Sequence, residues 1–381
     1  MKENTFFPEI RGTFGFGCMR LPMLEDKTVD KEQFCRMADA FIAAGFNYFD
    51  TARPYIGGQS ETAIGECIAK RYDRSQFLLA NKLSGSFFHS QEEIRPLFAS
   101  QLEACGVEYF DFYLMHAQGA RNYPKYKECR AYETAYELKK EGKVRHFGMS
   151  FHDKPEVLDM ILTEHPEIEF VQIQFNYVDY EEPSVESRRC YEVCEKHGKP
   201  VIIMEPVKGG SLVNLPPAAD KVFRDLGGGS NASYAVRYAA SFPQVTMVLS
   251  GMSDMAQMED NLSAMKDFKP LDEKEMAAVA EVCRIFKEQK LIPCTGCRYC
   301  VDENVCPMNI RIPDIFAARN TYETFRSWTV MGYYNGTLTG GEYGKASDCI
   351  GCGGCEGVCP QHLPIRDLLA KAAEVFEKKP E

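Results

Sequence analysis

The chain holds no run of eighteen apolar residues, so nothing in it reads as a membrane-crossing helix. Its first residues, Met1-Lys2-Glu3-Asn4-Thr5-Phe6-Phe7-Pro8-Glu9, lack the basic start and apolar stretch of a secretory leader, and the cytoplasm is the expected compartment. Bases are in short supply: 44 Lys and Arg face 55 Asp and Glu, for a net charge of −11, and the first 284 residues carry −10 of it. Such a surface repels phosphate backbones and anionic lipid, which argues against nucleic acid or a membrane as partner. No Gly-x-Gly-x-x-Gly follows the first strand-like run, and Gly227-Gly228-Gly229 has no strand before it. A doubly wound dinucleotide-binding sheet is therefore the weaker of two α/β readings.

What is present is a repeat. Apolar runs near 13–22, 47–52, 77–83, 109–116, 146–151, 170–176, 200–207 and 245–252 alternate with helix-patterned segments near 31–44, 59–71, 90–104, 126–141, 154–164, 184–197, 230–241 and 254–268. Eight strand and helix units are the number that closes a (β/α)8 TIM barrel. Phe6 to Ile10 is expected to plug one end of it as a hairpin. At 381 residues the chain exceeds one average domain. The division expected is a barrel over 1–270, a linking helix over 271–290 opened by an Asp272/Glu275 capping box, and a smaller, mostly α, ferredoxin-like domain over 291–381.

Parallel strands of a barrel all open at one face, and that face collects Asp50, Tyr55, Lys82 and His116 from successive strand ends. Singly each has a plainer account: an ion pair, a rim aromatic, a satisfied core histidine. Together they suit proton transfer to a carbonyl oxygen. A phenol ionises only near pH 10, so an ammonium must favour its anion, a carboxylate must hold the ammonium, and an imidazole can direct the oxygen.

These residues, with Phe49-Asp50-Thr51-Ala52, Gly148-Met149-Ser150 and Val171-Gln172, resemble the aldo-keto reductase family over the first 270 or so residues. The resemblance implies hydride transfer between a nicotinamide and an aldehyde or ketone. Tyr55 would be the proton donor, Lys82 and Asp50 would lower its pKa, and His116 would orient the carbonyl. Ser150 and Gln172 would bind the carboxamide, while Asn176 would be structural. The chain departs from the family at Phe151, where Asn is usual, and at Met204, where a Tyr often stacks on the ring. Lys208 and the backbone of Gly209 and Gly210 are candidates for the pyrophosphate. Gly251 and Asn261 bound the remaining cofactor segment, which contains three acids and no Lys or Arg. An adenosine 2′-phosphate finds little compensation there, so NADH is expected to outcompete NADPH.

Cysteine usage is the last signal. Sixteen cysteines without an export leader point to metal or redox chemistry rather than disulfides. Cys294-x-x-Cys297-x-x-Cys300-x5-Cys306-Pro307 is answered by Cys349-x-x-Cys352-x-x-Cys355-x3-Cys359-Pro360. The second run matches the bacterial ferredoxin pattern, and two [4Fe-4S] clusters are expected ahead of paired zinc sites. By that resemblance one cluster takes Cys294, Cys297, Cys300 and Cys359, and the other Cys349, Cys352, Cys355 and Cys306. The other eight cysteines, Cys18, Cys35, Cys67, Cys105, Cys129, Cys190, Cys194 and Cys283, read as buried small apolar residues. Trp328, Tyr333 and Tyr334, between the motifs, are expected to bury a docking surface against the barrel. A small carbonyl substrate and an external redox partner protein complete the expectations; a flavin in the barrel mouth, or a barrel that serves only as a docking platform for electron transfer, is the alternative.

Overall fold

In the computed structural model the described residues are 4–302, 305–325 and 328–377. Eight parallel strands follow one another around a closed barrel. They are β1 Phe14–Gly17, β2 Tyr48–Asp50, β3 Leu78–Leu83, β4 Phe110–Gln118, β5 Val144–Phe151, β6 Phe170–Gln174, β7 Val201–Met204 and β8 Val245–Gly251. β8 closes on β1 in the register Phe16↔Ser250, Gly17↔Gly251. Every residue of β2 and β3 is buried, as strands covered on both faces must be, which is why they read as unbroken apolar runs.

The helices are α1 Lys31–Ala43, α2 Gln59–Ile64, α3 Gln91–Cys105, α4 Tyr123–Glu128, α5 Ala131–Lys140, α6 Pro155–Glu164, α7 Ser187–Lys196, α8 Pro217–Leu226, α9 Asn231–Ala240, α10 Met255–Met265 and α11 Glu273–Glu288. α12 Tyr299–Asp302, α13 Ile312–Phe325, α14 Trp328–Tyr333, α15 Gly354–Gly357 and α16 Ile365–Phe376 follow. Their starts obey local chemistry: Asp30 and Asp254 accept from the backbone of Gln33 and Gln257, and Asp272 and Glu275 form the reciprocal box that opens α11. The segment expected as one helix over 126–141 is two, because Arg130 adopts a left-handed φ of 50° between α4 and α5. The segment 59–71 ends α2 early and continues as a π-helical turn over Gly65–Ala69.

The plug is present but is no hairpin. Asn4 Oδ1 accepts from the amides of Phe6 and Phe7, and Ile10 N–H donates to Phe7 O across a tight turn that includes Pro8. A proline has no amide to give a strand ladder. Phe7 and Ile10 instead pack with Tyr48, Phe112 and Phe170 in one apolar cluster.

The chain divides into two compact units, but not at a single point. One comprises the chain up to Val207 together with Gly229–Met276, and the other Lys208–Gly228 together with Ala277 onward. The excursion after β7, including α8, groups with the cysteine-rich tail. The second unit has its own core, in which Tyr334 stacks on Phe376 at 4.5 Å and is hydrogen-bonded to Glu377. Tyr334 is thus a core residue of its own unit, whereas Tyr333 is 49% exposed. The Trp328 side chain lies outside the described residues. No helix among the described residues is long and apolar enough to cross a membrane.

Candidate active site and cluster cavities

β2 ends at Asp50, and the chain then turns through Thr51–Pro54 into a short helical turn, Tyr55–Gly58. Ile56, Gly57 and Gly58 all have positive φ there, a run that two glycines make affordable. β3 brings Lys82 and β4 brings His116 to the same place. Lys82 Nζ donates to Asp50 Oδ1 at 2.5 Å and to Thr51 O at 2.9 Å, and lies 4.8 Å from the Tyr55 ring centroid. The rings of Tyr55 and His116 meet edge to face at 6.0 Å. All four strand-end residues are brought together and buried.

Burial dominates their electrostatics. It raises the Asp50 pKa and lowers that of Lys82, each offset by the charge of the other. It holds His116 well below the usual imidazole range, helped by Lys82 and His152, so the ring is neutral and carries one proton. Tyr55 departs from expectation. Its phenol is pushed well above 10 by burial, then by the carboxylates of Asp50 and Glu205, with Arg20 opposing. The expectation that Lys82 and Asp50 lower this pKa is corrected for Asp50, whose own charge raises it; Lys82 donates to Asp50 and Thr51 and stands 4.8 Å from the ring centroid, placed to favour the anion once the proton leaves.

Sequence reasoning missed Ser84. Its hydroxyl lies 2.6 Å from His116 Nδ1 and both are buried, so it holds the ring in place. It stands two residues after Lys82 and one past the end of β3, with the backbone still extended, so the period of two was an available signal. Also missed was the Arg20–Glu205 ion pair at 3.6 Å, near Tyr55.

Ser150 and Gln172 are register neighbours on β5 and β6. Ser150 Oγ accepts from Ala117 N at 2.8 Å, supporting an irregular end of β4 where Ala117 has φ 54°. Gln172 Oε1 and Asn261 Oδ1 are buried and find no hydrogen-bond partner among the described residues. Buried amide oxygens are rarely left so, and two of them suit a ligand that brings N–H donors, as a carboxamide does. Asn261 is fixed by donating to Ser250 Oγ at 3.1 Å. Asn176 is structural: its oxygen accepts from Val178 and Asp179 amides and its nitrogen donates to Glu205 O. Met204 is half-buried at the end of β7, and Gly251 ends β8 beside Arg20.

Lys208 and Gly209 fall in the second unit. Gly209 has φ 62°, and a Cβ there would lie 2.1 Å from Thr295 O. The close approach its missing side chain permits is to the segment between Cys294 and Cys297.

In that unit Cys294, Cys297, Cys300 and Cys359 line one cavity, and Cys306, Cys349, Cys352 and Cys355 line another. Their empty volumes are similar, about 330 and 310 Å³. Among the described residues no three His, Cys, Asp or Glu side chains converge on one ion, so the thiols stand around a space rather than a point. Four spaced thiols fit a cubane, whose irons each take one cysteine, better than a zinc ion that draws four sulfurs to about 2.3 Å. Of the other eight cysteines, six are buried and Cys35 and Cys283 are partly so.

Comparisons with known proteins match two families in succession along the chain. A model of the aldo/keto reductase family matches residues 13–284, and a model of the 4Fe-4S dicluster domain matches residues 293–364. An uncharacterized oxidoreductase of Bacillus subtilis, YqkF, is 26% identical over 302 residues, covering 70% of this chain and 90% of the relative. The NADH-specific methylglyoxal reductase of Escherichia coli is 27% identical over 187 residues, covering 44% of this chain and 54% of that protein. A solved aldo-keto reductase of Klebsiella pneumoniae, in complex with NADPH, superposes with a TM-score of 0.58 at 19% identity, over 72% of this chain and 90% of that one. At that identity the likeness is one of fold.

Proposed function

The chain belongs to the aldo/keto reductase family and carries a 4Fe-4S dicluster domain after its barrel, and from that premise we propose that the barrel reduces the carbonyl of a small aldehyde or ketone with NADH. The observation that carries the reading is the meeting of Tyr55, Lys82, Asp50 and His116 at one barrel rim. When bound, the nicotinamide supplies the hydride. The protein's part is the proton and the geometry. Tyr55, held protonated, donates to the carbonyl oxygen as negative charge develops there. Neutral His116, with Nδ1 occupied by Ser84, presents its other nitrogen to the same oxygen. Lys82 stabilises the anion that Tyr55 becomes, and Asp50 keeps Lys82 charged in a site that would otherwise neutralise it.

Gln172 and Ser150 would hold the carboxamide end of the cofactor. The preference for NADH rests on the segment after β8. There Asp254 is committed to capping α10 and Asp260 accepts from Ser230, and neither a Lys nor an Arg follows Gly251 before Asn261. That a relative is named NADH-specific agrees with this reading. Turnover with NADPH equal to that with NADH would remove it.

The eight cysteines would hold two [4Fe-4S] clusters, which when bound supply one-electron transfer to an external redox partner. The test of the whole reading is Tyr55→Phe. Carbonyl reduction should fall about 10²- to 10⁴-fold, the usual worth of a positioned general acid, while iron content stays that of the parent protein. Undiminished turnover would end the reductase reading.

A further inference from the structure

Behind Lys82 lies a buried polar network that proton transfer at Tyr55 does not itself use. Its centre is Glu61 on α2, whose side chain is 0% exposed. One carboxylate oxygen, Oε1, accepts from Asn81 Nδ2 at 2.9 Å and from Gln101 Nε2 at 3.2 Å. Both of those amides hold the main chain of Lys82. Asn81 Oδ1 accepts from Lys82 N at 2.8 Å, and Gln101 Nε2 donates to Lys82 O at 3.0 Å. Gln101 also donates to Asn81 Oδ1 at 3.1 Å and is locked by Tyr113, whose hydroxyl donates to Gln101 Oε1 at 2.7 Å. The other oxygen of Glu61, Oε2, forms an ion pair with Arg53, 3.0 Å from Nε but without hydrogen-bond alignment, and Arg53 is further tied to Ser100 Oγ at 2.7 Å. Arg53 stands two residues before Tyr55.

A single carboxylate therefore grips two separate pieces of the site. Through Asn81 and Gln101 it fixes the strand position from which Lys82 projects, and through Arg53 it fixes the turn from which Tyr55 projects. Folding alone gives little reason for this arrangement. Burying an ion pair seldom stabilises a protein more than apolar side chains of the same volume would, so a fully enclosed carboxylate is better understood by what it positions. Burial presses its carboxyl toward the neutral form, and Asn81, Arg53 and Gln101 each oppose that pressure.

We propose that Glu61 is a positioning residue for the reductase chemistry, setting the separation of the Tyr55 phenol from the Lys82 ammonium through these two arms. The inference rests on the proposed proton transfer from Tyr55. It assigns a function to a side chain that touches neither substrate nor cofactor. Its physical basis is steep distance dependence: an ammonium favours a phenolate only at close range, so a displacement of either piece weakens the proton transfer while leaving the substrate pocket and cofactor contacts as they were.

Glu61→Gln is the discriminating change. It keeps the shape and the Oε1 acceptor, but turns an N–H donor toward Arg53 Nε, which is a donor too, so the Tyr55 arm is released and the Lys82 arm kept. Gln101→Met removes one of the two amides of the Lys82 arm instead and reads the same property if the first variant does not fold. In the holoprotein each variant should lower kcat about tenfold, leave KM for the aldehyde and for NADH within about twofold, and move the limb of the kcat pH profile that reports Tyr55. The ¹³Cζ resonance of Tyr55, identified by its loss in Tyr55→Phe, should shift in both. A variant that folds, keeps its kcat and pH limb and leaves the resonance in place overturns the proposal, as does one that loses only thermal stability. Tyr55→Phe run alongside separates the two claims. If it retains turnover the reductase reading fails, and the resonance alone then decides whether Glu61 positions the ring.

Discussion

Replacing Lys82 by Met tests the buried pair without knowledge of the substrate. Lys82 is 1% and Asp50 3% exposed, and Asp50 Oδ2 already lacks a hydrogen-bond partner among the described residues. Methionine fills similar space, so what is lost is the counter-charge, and removing one member of such a pair costs about 3–5 kcal/mol. The carboxyl has one escape, which is to take up a proton, and this sets a ceiling. An unfolded aspartate ionises near pH 3.9, about three units below neutrality at about 1.4 kcal/mol each, so the penalty is at most about 4 kcal/mol at pH 7 and about 1.5 kcal/mol at pH 5. The sign follows from the direction of the shift. Burial already raises the Asp50 pKa, and without Lys82 it rises further. The folded variant then keeps a proton that the unfolded chain releases, so its stability is greatest below the unfolded pKa and is lost as pH rises toward the folded one. At about 2–4 °C per kcal/mol the melting temperature at pH 7 drops by on the order of 10 °C, and by only a few degrees at pH 5. Anaerobic thermal unfolding followed by circular dichroism at both pH values gives the comparison, with Asp50→Asn/Lys82→Met as the partner that recovers most of the loss. A penalty equal at the two pH values, or below about 1 kcal/mol at pH 7, would refute the reasoning.

Three other expectations concern single residues. Ser84→Ala leaves His116 Nδ1 without its partner, a loss of about 1–2 kcal/mol that should appear as a five- to thirtyfold fall in kcat with KM little changed, and an effect confined to KM would count against Ser84 holding the ring for catalysis. Gly209→Ala drives a methyl into the Thr295 carbonyl from a backbone of positive φ, so iron and sulfide per chain after anaerobic purification should fall below the parent value; full loading would show that the contact yields freely. Cys297→Ser and Cys359→Ser should each remove the same cluster and Cys352→Ser and Cys306→Ser the other, each halving bound iron, and electron paramagnetic resonance of what remains should fall into two classes. Different residual spectra for Cys297→Ser and Cys359→Ser would overturn the crossed pairing.

Which of these features could be read from the chain depends on how far apart the interacting residues are. The barrel was legible because each unit announces itself locally: a short apolar run, then a capping residue such as Asp30 or Asp254 and a helix-period stretch. Asp50, Lys82 and His116 could be named because strand ends of a barrel share a rim, and that rule needs no knowledge of side-chain packing. The crossed four-by-four division of the cysteines came from the resemblance of their motifs to bacterial ferredoxins. What escaped detection was decided by contacts between distant segments. The plug forms a turn because Asn4 captures two amides and bonds Thr246, and the left-handed Arg130 splits a helix whose apolar period runs on unbroken.

The excursion after β7 makes the same point more sharply. Lys208-Gly209-Gly210 reads as a phosphate-binding turn by composition, since glycine next to lysine is what an anion site requires. The same composition equally permits close packing of one backbone on another, and it is Thr295, far along the chain, that takes up the space. Glycine reports that something approaches closely and leaves open what it is. Glu61 is the counterpart among charged residues: its sequence neighbourhood reads as an ordinary polar helix start, and only the convergence of Asn81, Gln101 and Arg53 on its two oxygens gives it a role. Strand-end chemistry can be inferred from order along the chain, whereas the groups that hold that chemistry in register are found only where separate elements meet.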